Sequence, residues 1–350
     1  MRVLVVKTSS LGDVLHTLPA LTDATQRLPE IRFDWVVEEA FVEVPAWHAA
    51  VDRVIPVALR RWKHRPLQVL RAGEPQAAVR QLRRQRYDLV LDAQGLLKSA
   101  VIARFARGMR VGLDRNSARE PVAAHAYRRK FAVPRKQHAV QRVRQLFAAA
   151  LDYELPAAAP DYGIRQRFSG QGREDRYLVF LHGTTWPTKH WPEAYWCELA
   201  QLAAAQGLQV KLPWGNTAER QRAERIAAVH AAVEVLPRMS LGELAALIAS
   251  ARGVVGVDTG LVHLAAALGT PCITLYGSTD PGLIGTLGEA QLHLQAQFEC
   301  APCQSKKCTF SGAAAVFPAC YQTLDPAMVW SVAGGMIRTA ETASRTGPDT

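Results

Sequence analysis

The sequence predicts an α/β protein made of two doubly wound domains, each a parallel sheet covered by helices. The chain has 350 residues, which is enough for two domains that each bury a core. Short β-branched runs alternate with longer amphipathic runs, a pattern typical of βαβ units. A stretch rich in Pro and Gly, without periodicity, divides this alternation into two series.

The first domain is predicted over residues 1–160. Its strand and helix pairs are Val3–Val6 with Val14–Gln26, Phe33–Val37 with Phe41–His48, and Leu89–Asp92 with Leu96–Arg107. The basic stretch from Arg60 to Gly73 contains Pro and Gly and is predicted as a long loop. Val140–Leu151 is predicted as a helix, and residues 151–175 as the linker between the domains.

The second domain is predicted over residues 161–325. Its elements are Tyr177–His182, Pro192–Gln206, Val210–Leu212, Ala218–His230, Leu241–Ser250, Val254–Val257, Leu261–Leu268 and Cys272–Tyr276. The last apolar helix, from Pro326 to about Thr339, has no partner strand, so we expect residues 326–350 to form a helix and tail that cross back onto the first domain. The two domains are expected to face each other across a cleft, with ligands at the carboxyl ends of the strands.

Positive charge is concentrated in one part of the chain. Residues 51–150 hold 23 Lys or Arg and 6 Asp or Glu, a local charge of +17, whereas the whole chain carries +11. Such a surface suits nucleic acid, an acidic membrane surface or a phosphorylated substrate. The first apolar run, Val3–Val6, is too short for a signal peptide, and no run reaches the roughly 18 residues of a membrane span. We therefore expect a cytoplasmic protein whose membrane contact is peripheral.

The first strand is followed by the segment KTSSLGD, residues 7–13, and then by a helix. Small residues before Gly12 allow a ligand close to the backbone, and Asp13 is expected at the tip of the strand, facing the cleft. The segment is neither a GK[ST] loop nor a GxGxxG fingerprint, so it does not predict a nucleotide here. Capping of the following helix by Asp13 is the alternative explanation.

A second candidate site follows the strand Val254–Val257. The turn Asp258-Thr259-Gly260 leads into a helix, whose N-terminal N–H groups and dipole suit a diphosphate. His263, one turn into the helix, can add a side-chain donor. We expect Asp258 to orient backbone amides rather than to touch phosphate. A helix cap together with a core histidine explains the same residues.

A third segment, HGTTWPTKHW at residues 182–191, follows the first strand of the second domain. Thr184, Thr185 and Lys189 in such a loop form an anion cradle, in which the lysine is a mobile point charge. The alternative is a Pro-bearing turn with a solvated lysine. No D-x-D occurs in the sequence, so a metal held by paired carboxylates is not predicted, and the leaving-group charge would be met by Lys189 and helix dipoles.

Two further segments allow more than one interpretation. The run RRWKHR, residues 60–65, is either a solvated face or a contact for a phosphorylated partner. The cysteines Cys300, Cys303, Cys308 and Cys320 are spaced C-x2-C-x4-C-x11-C, which is irregular for a zinc knuckle. A structural metal, a reversible disulfide and plain thiols all remain open, with an unligated or disulfide-capable loop slightly favoured.

The chain resembles the ADP-heptose:lipopolysaccharide heptosyltransferases from Met1 to about Gly285. The motifs that carry the resemblance are KTSSLGDVLHTLPALTDA, FDWVVEEAF, DAQGLLKSA, NSAREP, KHWP, KLPWG, VDTGLVHLAAALGTP and YGSTDPGLIG. The resemblance implies a GT-B fold, two Rossmann-like domains with the acceptor on the first and the donor on the second. It also implies inverting, metal-independent transfer of L-glycero-D-manno-heptose from ADP-heptose, without a cofactor. The implied acceptor is the 3-deoxy-D-manno-octulosonic acid (Kdo) of lipid A, at the cytoplasmic face of the inner membrane.

The resemblance also implies roles for individual residues. Asp13 is implied as the general base, with Lys189 as the second catalytic residue. The implied donor-binding residues are Thr184, Thr185, Lys189, Asp258, Thr259, Gly260 and His263 at the diphosphate, Glu219 at the ribose and Met239 near the adenine. The implied acceptor-binding residues are Lys7, Ser9, Ser10, Gly12, Arg60, Arg61, Lys63, Lys98 and Arg119.

Other functions fit parts of the sequence. A heptosyltransferase that acts on a later core heptose would share these motifs. A sugar-nucleotide epimerase of the same fold would need no lipid acceptor, and the basic surface argues against it. A nucleic-acid-binding module would explain the charge, but no recognition helix, zinc finger or stacking motif accompanies it, so no nucleic acid partner is predicted.

Overall fold

The computed structural model describes residues 1–169 and 177–345, which form two compact units, Met1–Ile164 and Arg165–Thr350. The two doubly wound units predicted from the sequence are confirmed, and each contains a six-stranded, fully parallel sheet. Residues 170–175 of the predicted linker and residues 346–350 of the predicted tail lie outside the described residues. Among the described residues, no helix is both long enough and apolar enough to cross a bilayer.

The sheet of the first unit has the order β3-β2-β1-β4-β5-β6. Its strands are β1 Arg2–Val6, β2 Arg32–Glu38, β3 Val51–Val57, β4 Arg86–Asp92, β5 Arg107–Leu113 and β6 Arg129–Phe131. The central strand β1 is fully buried from Val3 to Val6, because helices cover both faces of the sheet. The structure adds β3, β5 and β6 to the strands that the sequence predicts.

The helices of the first unit correct two predictions. They are α1 Leu11–Leu15, α2 Leu18–Arg27, α3 Glu43–Ala46, α4 Leu59–His64, α5 Pro66–Arg71, α6 Glu74–Arg83, α7 Leu97–Phe105 and α8 Ala139–Leu151. The stretch predicted as a long loop contains α4 and α5, because Leu, Arg and Lys favour helix and Pro66 occupies the first position of α5, where proline is tolerated. The single helix predicted over Val14–Gln26 is divided into α1 and α2.

The second unit repeats the strand order of the first. Its strands are β7 Tyr177–Leu181, β8 Gln209–Leu212, β9 Val233–Val235, β10 Gly253–Val257, β11 Cys272–Tyr276 and β12 Gln291–Gln295, in the order β12-β11-β10-β7-β8-β9. Its helices are α9 Glu193–Ala205, α10 Thr217–Ala227, α11 Leu241–Ser250, α12 Gly260–Leu268, α13 Pro281–Ile284 and α14 Pro326–Arg345. Read from its own first strand, this is also the order 3-2-1-4-5-6 of a Rossmann sheet.

The C-terminal helix α14 belongs to the second unit, although the absence of a partner strand in the sequence predicts that it crosses back onto the first domain. Its buried side chains Val329, Ala333 and Met336 are part of the core formed by β7, α9 and β10. The apolar face of α14 is thus satisfied by packing within its own unit, chiefly against α9.

A buried ion pair joins α2 to α8 in the first unit. The guanidinium of Arg144 donates to both carboxylate oxygens of Asp23, at 2.6 and 3.1 Å, and to the carbonyl oxygens of Pro156 and Ala158. Both side chains are almost completely buried. The pair therefore also holds the segment that follows α8.

Removal of one member of this pair should destabilise the protein strongly. In Asp23→Ala the Arg144 guanidinium remains buried without its carboxylate, so we expect the free energy of unfolding to fall by about 3–5 kcal/mol in urea denaturation. In the double variant Asp23→Ala/Arg144→Met no charge is left buried, and part of this loss should be recovered. A double variant that is less stable than Asp23→Ala would contradict this account.

Candidate active site

The predicted motifs lie at one structural position in each unit. In each sheet the first strand lies beside the fourth, β1 beside β4 and β7 beside β10. At such a switch point the connections leave toward opposite faces, so that the loops at the carboxyl ends diverge and leave room for a ligand. The segments that contain Asp13 and Lys98 follow β1 and β4, and those that contain Lys189 and Asp258 follow β7 and β10.

Asp13 lies in the first turn of α1 at the end of β1. Its Oδ2 accepts hydrogen bonds from the backbone N–H and the hydroxyl of Ser10, both at 2.9 Å. Its Oδ1 lies 3.7 Å from the ammonium of Lys7. The carboxylate therefore caps the helix with one oxygen, as the alternative interpretation expects, while its side chain is still 42% exposed.

The surroundings of Asp13 keep its carboxyl group ionised. Burial opposes ionisation, but the charge of Lys7, the two hydrogen bonds from Ser10 and the charge of Arg119 together lower the pKa of Asp13 below its usual value. Arg119, on an exposed loop, therefore belongs to the electrostatic environment of Asp13. A carboxylate in this state accepts a proton at neutral pH without first having to lose one.

Gln94 ties together the two loops of the first switch point, a role that sequence reasoning missed. Its amide oxygen accepts from the backbone N–H and hydroxyl of Thr8, and its amide nitrogen donates to the carbonyl of Ser9 at 2.7 Å. The ammonium of Lys98 donates to the Ser9 hydroxyl at 3.2 Å. The predicted acceptor residues Lys7, Ser9, Ser10, Gly12 and Lys98 are thus brought together around Asp13.

The other predicted acceptor residues lie on α4, where they differ from one another. The guanidinium of Arg61 is already engaged, since it forms a double hydrogen bond with Glu39 at 3.1 Å and a third with Glu74 at 2.7 Å. Arg60 is exposed and stacks over the ring of Phe41. Lys63 is exposed. The geometry thus gives Arg61 a structural role in holding α4, and the acceptor roles of all three residues stay predictions.

The second switch point is organised by an ion pair between Lys189 and Asp258. The Lys189 ammonium lies 2.6 Å from Oδ2 of Asp258, and the same oxygen accepts from the Thr279 hydroxyl at 2.6 Å. The Thr184 hydroxyl donates to the backbone carbonyl of Asp258 at 3.0 Å. Asp258 thus orients a lysine and a threonine rather than backbone amides, and Thr279 was missed. Thr185 is exposed beside this cluster.

The helix that follows Asp258 presents its N-terminus at the same place. Thr259 is the N-cap of α12, and Gly260 is its first residue. Because the carboxylate of Asp258 is turned to Lys189, it leaves the first N–H groups of the nine-residue helix for an anion. His263 is buried among the neighbours of α12, so its diphosphate role stays a prediction.

Glu219 lies between two loops at this end of the sheet. Its Oε2 accepts from the backbone N–H of Gly215 at 2.7 Å. Its carboxyl group also lies against Gly183, where a Cβ atom would stand only 2.7 Å from the carboxyl carbon. Residue 183 must therefore be glycine for Glu219 to keep this position. Met239 lies half-buried in the loop between β9 and α11.

A neutral histidine pair adjoins this cluster. His182 is buried directly after β7, and its burial, with the charges of Arg222 and His190, lowers its pKa to about 4. Burial and Arg222 also lower the pKa of His190. Arg222 donates to the backbone carbonyl of His182 at 3.3 Å and lies 2.7 Å from Nδ1 of His190. At neutral pH these histidines add no positive charge to the carboxyl end of this sheet.

The segment of residues 300–321, which we call the cysteine segment, holds the Lys189 loop in place. The hydroxyl of Tyr321 donates to the backbone carbonyl of Lys189 at 2.9 Å, and the hydroxyl of Thr188 donates to the backbone carbonyl of Ser305 at 2.6 Å. Tyr321 is fully buried, and its ring occupies the space beside Gly277 that a Cβ atom would need. These contacts link residues more than a hundred positions apart, so a local sequence motif cannot show them.

The cysteines themselves are free thiols in the structure. Burial and the charges of Cys303 and Cys308 raise the pKa of Cys300 above its usual value. Burial raises the pKa of Cys320 to about 11. Over the described part of the chain, no three metal-binding side chains come close enough to hold an ion. The alternatives of a structural metal, a disulfide and plain thiols stay open.

Comparison with known proteins places these features in a family. The sequence matches the family described as glycosyltransferase family 9 (heptosyltransferase) over residues 76–314. It is 58% identical to lipopolysaccharide heptosyltransferase 1 of Pseudomonas aeruginosa over 89% of this chain and 88% of the relative. It is 53% identical to lipopolysaccharide heptosyltransferase 1 of Escherichia coli K12, over 85% of this chain and 95% of the relative.

A solved structure matches nearly the whole chain. It is the E. coli heptosyltransferase WaaC with ADP-2-deoxy-2-fluoro heptose, which has a TM-score of 0.82 and 47% identity and covers 96% of this chain and 99% of its own. Two Rossmann-type units that match this structure identify the protein as a GT-B glycosyltransferase. The chain belongs to glycosyltransferase family 9, the heptosyltransferases, which confirms the resemblance seen in its motifs. The roles of individual site residues stay predictions.

Tyr321 offers a test of how the Lys189 loop is held. In Tyr321→Phe the ring still fills its place beside Gly277, but the hydrogen bond to the Lys189 carbonyl is lost, so we expect the Kd for ADP to rise about threefold to tenfold. Isothermal titration calorimetry measures this change. Tyr87→Phe, in the first unit, is the matched control and should leave ADP affinity unchanged. Equal ADP affinity in Tyr321→Phe and the wild type would show that the hydrogen bond does not position the loop.

Proposed function

We propose that this chain transfers L-glycero-D-manno-heptose from ADP-L-glycero-D-manno-heptose to the Kdo of lipid A, in lipopolysaccharide inner-core biosynthesis. The observation that carries the proposal is the ionised carboxylate of Asp13 in a family 9 chain, held at the switch point of the first unit. Four relatives named lipopolysaccharide heptosyltransferase 1 share 53–58% identity with this chain and a fifth shares 26%, whereas two named lipopolysaccharide heptosyltransferase 2 share 26–27%. This difference favours the first heptose over a later one.

The second unit binds the donor in this proposal. The Lys189 ammonium has three N–H donors, of which Asp258 occupies one, so the others are available to the diphosphate. The N-terminus of α12 adds backbone N–H groups and the positive end of the helix dipole. Together they stabilise the charge that develops on ADP as it leaves. This positive charge supports a transfer that requires no metal ion.

Asp13 acts on the acceptor in this proposal. Its oxygen Oδ1, which is not used for capping, takes the proton from an acceptor hydroxyl while the hydroxyl oxygen attacks the anomeric carbon of the heptose. The bond from the anomeric carbon to the ADP oxygen breaks, and ADP leaves with the bonding electron pair. Attack opposite to the leaving group inverts the configuration. General-base catalysis of this kind contributes roughly 10²- to 10⁴-fold to the rate.

The acceptor makes the enzyme a peripheral membrane protein in this proposal. Lipid A is anchored by acyl chains, so its Kdo stays near the cytoplasmic face of the inner membrane. The local charge of +17 over residues 51–150 complements the phosphates and carboxylates of such an acceptor.

Asp13→Asn separates catalysis from helix capping. The amide oxygen still accepts the hydrogen bond from Ser10 but does not take up a proton, so kcat should fall by about 10²- to 10⁴-fold while the Kd for ADP stays unchanged. Release of ADP from ADP-heptose, with deacylated Kdo-lipid A as acceptor, measures the rate. Ser10→Ala is the matched control, because the backbone N–H of residue 10 and Lys7 still hold the carboxylate, and it should lose less than tenfold.

The dependence of kcat on pH is a second test of Asp13 as the general base. Because the pKa of Asp13 is lowered, the base is ionised throughout the neutral range, and the activity that depends on it is lost only as the pH falls below the usual aspartate range.

A near-normal kcat in Asp13→Asn would contradict the role of Asp13 as general base. Capping of α1 would then be the role of this residue.

Arg119 and Arg61 should differ in their effect on the acceptor. Arg119 is exposed close to Asp13, so Arg119→Gln should raise the acceptor KM about fivefold and leave the donor KM unchanged. This difference should shrink at high salt, since the contact is screened in the wild type as well. Arg61→Gln removes a guanidinium that already binds Glu39 and Glu74, and its acceptor KM should change less. Steady-state kinetics with both substrates would refute the assignment if the two variants behaved alike.

A further inference from the structure

An apolar stripe runs along the exposed face of α7. Leu97, Val101 and Phe105 are 51%, 48% and 42% exposed, and they are spaced four residues apart, so they lie on one side of the helix. Val122 is 62% exposed on the 3-10 turn Pro121–Ala126, which packs against α7. The patch therefore extends beyond a single side chain.

This arrangement is unusual for a surface helix. The buried side of α7, which includes Ala100 and Ala103, faces the core, so the helix is apolar on both sides. A helix that is apolar all round is normally covered on both sides. By contrast, α6 and α10 present mostly charged and polar side chains to solvent. The outer face of α7 thus has the composition of a surface that binds a membrane or another protein.

Basic side chains border the stripe. At 100° per residue, Lys98 lies on one side of it and Arg104 on the other. Arg107, two residues after Phe105, is one of four arginines that line a cavity of about 640 Å³ at the amino ends of β4 and β5. The arginines are Arg86, Arg107, Arg110 and Arg128, and the lining includes one carboxylate, that of Asp88, which accepts from the backbone N–H of Arg2.

We propose that this α7 surface docks the enzyme on a membrane that contains anionic phospholipid. The stripe of Leu97, Val101 and Phe105 enters the interfacial region, and Lys98, Arg104 and the arginine cavity bind lipid phosphates. Apolar side chains bordered by cations bind such a membrane in two ways. The apolar side chains gain affinity by burial in the interface, and the cations gain affinity by attraction to the anionic headgroups.

The position of the surface connects it to the site around Asp13. The Lys98 ammonium, at the start of α7, already contacts Ser9, which is adjacent to Ser10, whose backbone N–H holds Asp13. Leu97 and Phe105 are separated by about 12 Å along the helix, at 1.5 Å per residue. A bilayer in contact with this stripe would bring the sugar of a lipid acceptor to the Asp13 end of the helix. This step rests on the proposed function, whereas membrane docking itself does not.

Vesicle sedimentation tests the surface. The wild type should bind vesicles of phosphatidylglycerol in phosphatidylcholine and bind pure phosphatidylcholine far more weakly. Val101→Gln/Phe105→Gln replaces exposed side chains with a good helix former and should weaken binding to the anionic vesicles about tenfold or more. Leu292→Gln/Phe317→Gln, at exposed apolar positions of the second unit, is the matched control and should bind like the wild type. Arg86→Gln/Arg128→Gln should reduce binding to the anionic vesicles alone.

Three outcomes would overturn the proposal. Unchanged vesicle binding in Val101→Gln/Phe105→Gln would show that the stripe does not enter the interface. Equal binding of the wild type to both kinds of vesicle would remove the role of the cations. A change in oligomeric state on size-exclusion chromatography, caused by the same substitutions, would make the stripe an interface between copies of the chain.

Kinetics separates this inference from the proposed function. With a deacylated, water-soluble acceptor the kcat/KM of Val101→Gln/Phe105→Gln should equal that of the wild type, whereas with Kdo-lipid A in anionic vesicles its acceptor KM should rise about tenfold. Absence of transfer by the wild type to the soluble acceptor would count against the proposed function. The vesicle-binding result would still decide the role of the surface.

Discussion

The connectivity of a parallel sheet is the constraint on which this structure depends. Each unit begins in the middle of its sheet and builds outward in both directions, so that its first and fourth strands are neighbours. Their loops must separate, because the helices that follow them cover opposite faces. The segments that contain Asp13, Lys98, Lys189 and Asp258 lie at these two gaps. The helices and strands around them fix the backbone, and short side-chain contacts such as those of Gln94 and Tyr321 fix the loops.

A lysine–aspartate pair lies at each gap, and the two pairs are built in opposite ways. In the first unit Lys7 is buried and Asp13 is the exposed member, whereas in the second unit Lys189 is more exposed than Asp258. The buried member in each case stabilises the charge of its partner without competing for a ligand. The same pair of residue types thus presents a negative charge in one unit, suited to accept a proton, and a positive charge in the other, suited to hold a phosphate.

The elements that the sequence predicts well are local ones with a strong hydrophobic pattern. Buried β-branched strands such as Val254–Val257 and the motifs directly after them were recognisable, because strand, turn and helix follow one another in the chain. The strand Arg107–Leu113, between β4 and the edge strand β6, was missed, since Arg107, Gly108 and Arg110 interrupt its apolar pattern. The partners Thr279 and Tyr321 were also missed as site residues, because only tertiary folding brings them to Asp258 and Lys189. The periodicity of α14 shows that the helix has an apolar face. It does not show which core that face packs against, because this depends on the shape of the folded unit.

The attachment of the cysteine segment to the Lys189 loop affects how chemical-modification experiments are interpreted. Cys300 and Cys303 are exposed, while Gln304 and Ser305, directly after them, are bonded to Ser278 and Thr188 through their backbones. An alkylating reagent that reacts with these thiols would displace a segment that supports the loop of Lys189. Inactivation by such a reagent, and protection by bound nucleotide, would therefore imitate the behaviour of an active-site cysteine, although the proposed mechanism uses no thiol.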